Sequence, residues 1–339
     1  MEAAAPRSVA SDFAARRRAW EESSLSPLAA RSYPPDRAEP EEDCSLRTPF
    51  QRDRDRIVHS KSFRRLKHKT QVFVAPEGDH FRTRLTHTLE VTQISRTVAR
   101  ALDLNEDLAE AIGLGHDLGH PPFGHIGEAA LDASLRERFG NDAAFRHYEH
   151  SLRVVTVLEP LNLCAAVRDG ILCHSGRAPM PGTLEGRIVR LVDRVAYINH
   201  DIDDALRAGV LAESDLPAGA IAALGDDGST RIDTLVHDLV EHSAAAGEIV
   251  QGPVVGPAMA ELRKFMFERV YLGPAARREA SKVERVIRAL FEEYVARPDL
   301  LPPGAGDLGQ RVTDYIAGMT DRYATRAFSE LAVPSAFVA

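Results

Sequence analysis

The sequence is short of several residue types that would announce a function early. Cys44, Cys164 and Cys173 are its only three cysteines in 339 residues. They are odd in number and lack a CxxC pair, which argues against a disulfide framework or a thiolate zinc site and fits a reducing cytoplasm. No stretch approaches the roughly 18 uninterrupted apolar residues of a membrane span, and the opening MEAAAPRSVASDFAARRRAW has no apolar secretion core. The expectation is a cytoplasmic protein, neither exported nor membrane-bound. Aromatics are 6% of residues and the formal net charge is -8, so a surface built throughout for nucleic acid or an anionic membrane is disfavoured. Long strand-like alternation is missing too, as is any repeat of 20 to 50 residues.

What is present is 44% hydrophobic residues, enough to bury a sizeable core. Residues 1–44 are rich in Ala, Arg, Pro and Glu without apolar periodicity and are expected to form a disordered tail. Residues 45–339 are expected to form a single all-α domain. Apolar spacing predicts helices over 54–68, 84–102, 105–118, 126–139, 143–158, 186–207, 230–247, 257–271, 275–296 and 308–330. PAGAIAALGDDGS and RPDLLPPGAGD are expected as loops.

Two histidines fall on predicted buried faces. In RLTHTLEVTQISRTVARAL, His87 shares a helical stripe with Val91, Ile94, Val98 and Ala101. With Asn105 as N-cap, Leu108, Ile112 and His116 follow at i, i+4 and i+8, and Asp117 comes next before Gly119 and Pro121 stop the helix. Asp193 sits among Leu191, Val192 and Val195, where an ionised carboxylate needs a compensating cation. Singly, an inward His is usually a hydrogen-bonded core residue, and an Asp in an apolar run is often the exposed edge of its helix. Together, two imidazoles and two carboxylates suit Mn, Fe, Mg or Co with open water positions better than a closed zinc site. The i, i+4 pair His116 and His120 lacks the glutamate of HExxH, and Gly119 with Pro121 breaks the helix, so a zincin motif is rejected.

The order His87, His116-Asp117, Asp193 resembles the H...HD...D pattern of HD-domain phosphohydrolases. The blocks RDRDRIVHSKSFRRLKHKTQVF, EGDHFRTRLTHTLEVTQISRTVARAL, GLGHDLGHPPFGHIGE, RLVDRVAYINHDIDDAL, LRKFMFERVY and DYIAGMTDRYA are similar, in order, to those of deoxyguanosine triphosphate triphosphohydrolase-like proteins. The resemblance implies an HD-domain helical bundle with additional C-terminal helices, usually oligomeric. It implies hydrolysis of a deoxynucleoside triphosphate to deoxynucleoside and inorganic triphosphate, aided by a divalent metal on His87, His116, Asp117 and Asp193. It assigns catalysis to His125 and Glu128. It carries nucleotide contacts over to Arg84, His147, Arg194, Tyr197 and Asp201, with Gln71 a looser match.

The chemistry suits these residues. Hydrolysis at an α-phosphate must neutralise phosphoryl charge, generate a nucleophile and protonate the departing 5'-oxygen, and a divalent ion serves the first two needs. His125, backed by Glu128 three residues on, can supply the proton; by composition alone the pair reads equally as a capping arrangement. Asp193, Tyr197 and Asp201 recur every four residues along one wall, which is also how a core tyrosine between surface acids would look. Arg84, one turn before His87, is shaped for phosphate, its alternative being a solvated first-turn arginine.

Residues 52–69 hold eight Lys or Arg against two Asp, a local net of +6. The run could bind substrate phosphates, a regulatory nucleotide or single-stranded nucleic acid, or be a solvated helix face. Sparse aromatics, Phe63 and Phe73, disfavour base stacking, and phosphate contact is preferred. Two stretches depart from the family pattern: Glu149 and His150 replace polar amides in FRHYEHSLRVV, and CHSGRAPMPG stands in place of a lysine-containing turn. The alternatives to dNTP hydrolysis are an HD nucleotidase or phosphodiesterase acting on monophosphates or cyclic nucleotides, and a nucleotide- or single-strand-binding protein with little turnover.

Overall fold

The computed structural model describes residues 12–71 and 82–334. Among them are fifteen α-helices and no strand, in keeping with the all-α expectation. In chain order these are α1 (Phe13–Ser24), α2 (Pro49–His59), α3 (Lys61–Arg65), α4 (Arg84–Ala101), α5 (Glu106–Gly115), α6 (Gly124–Phe139), α7 (His147–Arg153), α8 (Ala165–Cys173), α9 (Leu184–Arg207), α10 (Ala218–Leu224), α11 (Gly228–Ala246), α12 (Val255–Met266), α13 (Pro274–Ala296), α14 (Leu308–Ala317) and α15 (Asp321–Ala332). Local chemistry sets many of the starts. Thr48 caps α2 in a reciprocal box with Gln51 and Pro49 takes the first turn, while Asn105, Thr183, Asp227, Asp307 and Thr320 accept a backbone N–H at the starts of α5, α9, α11, α14 and α15.

Three apolar clusters form the interior. The first joins α2, α4, α5, α8 and the first half of α9 through Ile57, Val91, Val98, Leu108, Ile112, Ile171, Val189 and Val192. The second joins α6, α13, α14 and α15 through Leu131, Ile287, Leu290, Phe291, Val312, Ile316 and Ala324. The third packs the second half of α9 against α10, α11 and α12. Fully burying one Leu or Ile contributes about 1.5–3 kcal/mol, so each cluster is a substantial anchor for whatever its helices carry.

Several elements differ from expectation. Within the tail expected over residues 1–44, the first 11 lie outside the described residues, but residues 12–44 are not a loose tail. They form α1 and a strap over the first cluster: buried Glu21 accepts from Ser32 N at 2.9 Å, Arg37 pairs with buried Asp53, and Glu41 takes both Arg52 and Arg56. The strap is held mainly by hydrogen bonds and ion pairs, with only Leu25, Ala29 and Ala30 packing on the first cluster, so periodicity carried no sign of it. Two short helices were not expected. One is α8; the other, α10, lies inside the expected loop PAGAIAALGDDGS, where AGAIAAL propagates as helix between Pro217 and Gly225. The single run expected over 308–330 is two helices, α14 and α15, separated at Gly318 to Thr320.

Half of the basic run is paired or buried in place. Arg52, Arg54 and Arg56 engage Glu41, Asp55 and Glu110, and Lys69 is buried, leaving Lys61, Arg64, Arg65 and Lys67 exposed. No helix among the described residues is long and apolar enough to cross a membrane.

Candidate metal and catalytic centre

The first cluster delivers the four expected ligands to one place. His87 projects from the buried face of α4, and His116 is the residue on which α5 ends, still in right-handed helical conformation. The His116 Nδ1–H donates to Gly113 O at 2.6 Å, which leaves Nε2 as an acceptor. That Nε2 is buried with no hydrogen-bond partner, 3.6 Å from Asp117 Oδ2 and 3.9 Å from Asp193 Oδ1. His87 Nε2 lies 3.0 Å from Asp193 Oδ1, and donor atoms of His87, His116 and Asp117 all fall within 4.8 Å of one another. An orphaned buried imidazole nitrogen aimed between two carboxylates, its other nitrogen held by a backbone carbonyl, is the arrangement a divalent cation completes. The donor set therefore fits a metal ion.

Arg84 is not a solvated arginine. It is buried, with Nη1 on Asp117 Oδ2 at 2.5 Å and Nε donating to Thr70 O at 3.2 Å, while Nη2 has no partner. Burial alone would push the Asp117 carboxyl up, but the charges of Arg84 and the surrounding histidines hold it well below the usual carboxylate range. Asp193, half-buried, is pushed up by desolvation, but its hydrogen bond to His87 lowers it to about 2.

The second cluster delivers His125 and Glu128. The chain enters α6 through the left-handed region, with φ +65° at the N-cap Phe123 and +58° at Gly124. Only glycine fits closely at the second position: a Cβ on Gly124 would sit 3.2 Å from Gln71 O and 3.3 Å from Arg84 Nη2. His125 is thus in the first turn of α6 rather than ahead of it, its side chain 71% exposed, with Nδ1 3.4 Å from Glu128 Oε2. Glu128 is shared, since its Oε1 also accepts from His147 N at 3.0 Å and faces His147 Nδ1 at 3.0 Å. Burial pushes the Glu128 carboxyl up, yet His147 and His125 together hold it well below its ordinary value; against its own burial, His147 is raised by Glu128.

Two further histidines complete the wall. His120 is buried and stacks on His147, centroids 4.2 Å apart and planes 17° from parallel, with Nε2 3.9 Å from Asp117 Oδ1. Its sequence signal was present, but only as half of a rejected zincin motif. His174 was missed outright. It lies in the departing CHSG turn, its Nδ1–H on Ile171 O, its Nε2 3.3 Å from His147 Nε2 and its ring 5.0 Å from that of His116. The i, i+4, i+7 set Val167, Ile171 and His174 would have flagged it had α8 been recognised as a helix.

The remaining expected contacts spread along the rim. Gln71 lies beside Gly124 with a buried Oε1 lacking a partner. Arg194 lies against the CHSG turn, its Nη2 3.0 Å from where a Cβ of Gly176 would be. Tyr197 accepts from Arg263 Nε at 2.7 Å. Asp201 is buried and takes the hydroxyl of Tyr271, and burial pushes its carboxyl well above the usual range. Of the stripe 193, 197 and 201, then, the first member faces the histidines, while Tyr197 and Asp201 are bound to residues of α12 and the turn that follows it.

Residues 84–198 match the HD domain model and residues 249–330 the phosphohydrolase-associated domain model. A deoxyguanosinetriphosphate triphosphohydrolase-like protein of Caldanaerobacter subterraneus subsp. tengcongensis is 53% identical, with 92% of this chain and 93% of the relative covered. Proteins of the same description from Clostridium perfringens (48%; 87% and 90% covered) and Desulfatibacillum aliphaticivorans (43%; 93% and 96% covered) are also similar. Among solved structures, a hypothetical protein from Aquifex aeolicus shares the fold, with TM-score 0.51 at 20% identity over 84% of this chain and 69% of that one. On the strength of these relatives, the chain belongs to the deoxyguanosinetriphosphate triphosphohydrolase-like family of HD-domain phosphohydrolases.

Proposed function

We propose that this phosphohydrolase cleaves deoxynucleoside triphosphates at the α-phosphate, releasing deoxynucleoside and inorganic triphosphate. His87, His116, Asp117 and Asp193 hold a divalent ion, Mn, Mg, Fe or Co. The observation that carries the reading is the unpartnered His116 Nε2 between Asp117 and Asp193, in a cluster that His120 links to the His125–Glu128 pair. When bound, the ion supplies charge neutralisation at the phosphate and hydroxide near neutral pH.

The chain's own residues do the rest. Arg84 fixes the Asp117 carboxylate and keeps a guanidinium N–H free for a phosphate oxygen. Glu128 accepts a hydrogen bond from Nδ1–H of protonated His125, so the Nε2–H is the proton delivered to the 5'-oxygen as the P–O bond breaks, leaving the ring neutral. Arg194, for which no ion pair forms among the described residues, and Gln71 sit where triphosphate or sugar would pass. The exposed Lys61, Arg64, Arg65 and Lys67 favour a second role in holding a polyanion, either a second nucleotide or single-stranded nucleic acid.

The test is incubation of the purified protein with Mn and each dNTP, singly and mixed, resolving nucleoside, triphosphate, pyrophosphate and phosphate, with Asp117→Ala as control. Deoxynucleoside with intact triphosphate, lost in the control, is expected; turnover only in mixtures would reveal an activating nucleotide. No turnover in any mixture would sink the reading in favour of monophosphate or cyclic substrates, or of binding without chemistry. Sedimentation of the same sample tests the expected homo-oligomer.

A further inference from the structure

The metal ligands and the His125–Glu128 pair stand on different apolar clusters, so something must set the distance between them. The loop that joins them, residues 116–123, is tied to the C-terminal helices at successive points, through His150 of α7 and Lys69 to α14 and directly to α15. His150 donates Nδ1–H to Gly119 O at 2.9 Å and turns Nε2 toward Asp314 of α14, 3.3 Å away. Buried Lys69 donates to His120 O and, at 2.9 Å, to Ala317 O at the end of α14. Buried Asp321, the first residue of α15, accepts from Phe123 N at 2.9 Å with Oδ1, and from Thr70 N at 2.9 Å and the Thr70 hydroxyl with Oδ2.

Asp321 is the member whose two oxygens reach both halves of the site. On one side, Thr70 O accepts from Arg84, which holds Asp117. On the other, Phe123 is two residues before His125 and in a left-handed conformation that its backbone N–H contact helps to define. No other carboxylate among the described residues bonds to both Thr70 and the 121–124 turn.

We propose that Asp321 is a positioning residue. From within the segment matched by the phosphohydrolase-associated model, one carboxylate sets the spacing between the metal-binding half and the His125–Glu128 half. The proposal rests on the acid–base role given above to His125, but its geometry does not depend on which nucleotide is the substrate. Asn at this position keeps the size and one acceptor oxygen, yet its amide cannot accept from the second N–H. The grip is therefore broken on one side only.

The experiment compares Asp321→Asn with Thr320→Ala in the full chain, the latter removing the α15 cap on Tyr323 N without touching Thr70 or Phe123. Amide exchange over residues 119–128 is measured with and without Mn, beside kcat and KM for the best dNTP. Misplacement of a reacting group by about 1 Å costs about 100-fold, so Asp321→Asn is expected to lower kcat by about that factor with KM within threefold. It should also speed exchange at 119–128 at least tenfold, while Thr320→Ala does neither. Unchanged exchange over 119–128 in Asp321→Asn, whatever its turnover, overturns the proposal. Equal losses in both variants also overturn it, because the effect would then be general destabilisation of α15. If wild-type protein hydrolyses no dNTP, the proposed function falls, while the exchange comparison still decides the role of Asp321.

Discussion

The two halves of the site are built to opposite specifications. The metal-binding half is sealed: His87, His116, Asp117 and Arg84 are all buried, and each stands on a helix of the first cluster or at its end. The acid–base half is open, with His125 71% exposed on the first turn of α6, whose packing belongs to the second cluster. Burial makes an uncompensated charge expensive and so selects strongly for a bound cation. Exposure lets a proton donor exchange with solvent between turnovers. The difference teaches that the geometry of the His/Asp cluster is a property of a rigid core, while the position of His125 is a property of a turn supported from elsewhere.

The contrast can be broken most completely from the sealed side. Asp117→Ala is expected to lower Mn-dependent turnover by more than the about 100-fold typical of losing an outer-shell partner, and to weaken Mn binding in calorimetry by a comparable factor. From the open side, His125→Ala should lower kcat by about 10²–10⁴-fold while leaving Mn affinity unchanged, since no contact of His125 reaches His87 or His116. Loss of Mn affinity in that variant would show that the halves are not separable.

Arg84→Met sharpens the comparison through stability. It leaves the Asp117 carboxylate buried and unpaired, a loss of about 3–5 kcal/mol in chelated protein, part of which saturating Mn should restore. Thermal unfolding with EDTA and with Mn measures both. Ile112→Ala in the first cluster and Ile287→Ala in the second, both fully buried, should each cost about 2–5 kcal/mol, but only the first should weaken Mn binding when both are folded.

The smallest effect is at the N-terminal strap. The Arg56 hydrogen bond, outweighing burial, lowers the Glu41 carboxyl from 4.5 to about 2. A depressed folded-state value means stability that is present above pH 4.5 and lost as pH falls through about 2. Glu41→Gln should therefore lower the unfolding midpoint by a constant small amount at neutral pH, worth up to about 1 kcal/mol. The difference from wild type should shrink to nothing near pH 2; a pH-independent gap would assign the effect to packing.

Legibility followed the range of the interaction. His87 and His116 could be read because a 3.6-residue period puts each on an apolar face, and Asp193 because its neighbours are aliphatic. His174 could not, because its helix is nine residues long and carries no cap signal. Asp321 could not either: its partner Thr70 is 251 positions away, and nothing local distinguishes it from an ordinary acid in a first helical turn. The strap from residue 12 to 44 was misread for the same reason, since Glu21, Arg37 and Glu41 look solvated until their partners are brought to them.

By itself the sequence determined the helical class, most helix boundaries and the inward placement of His87 and His116, because periodicity, capping and desolvation of charge act within a few residues. Only the tertiary structure decided that the first and second apolar clusters bring their residues to one site, that Glu128 is shared between His125 and His147, and that α15 reaches across to both halves. Those contacts pair groups from distant segments, and polar pairs carry no periodic signature in the chain that forms them.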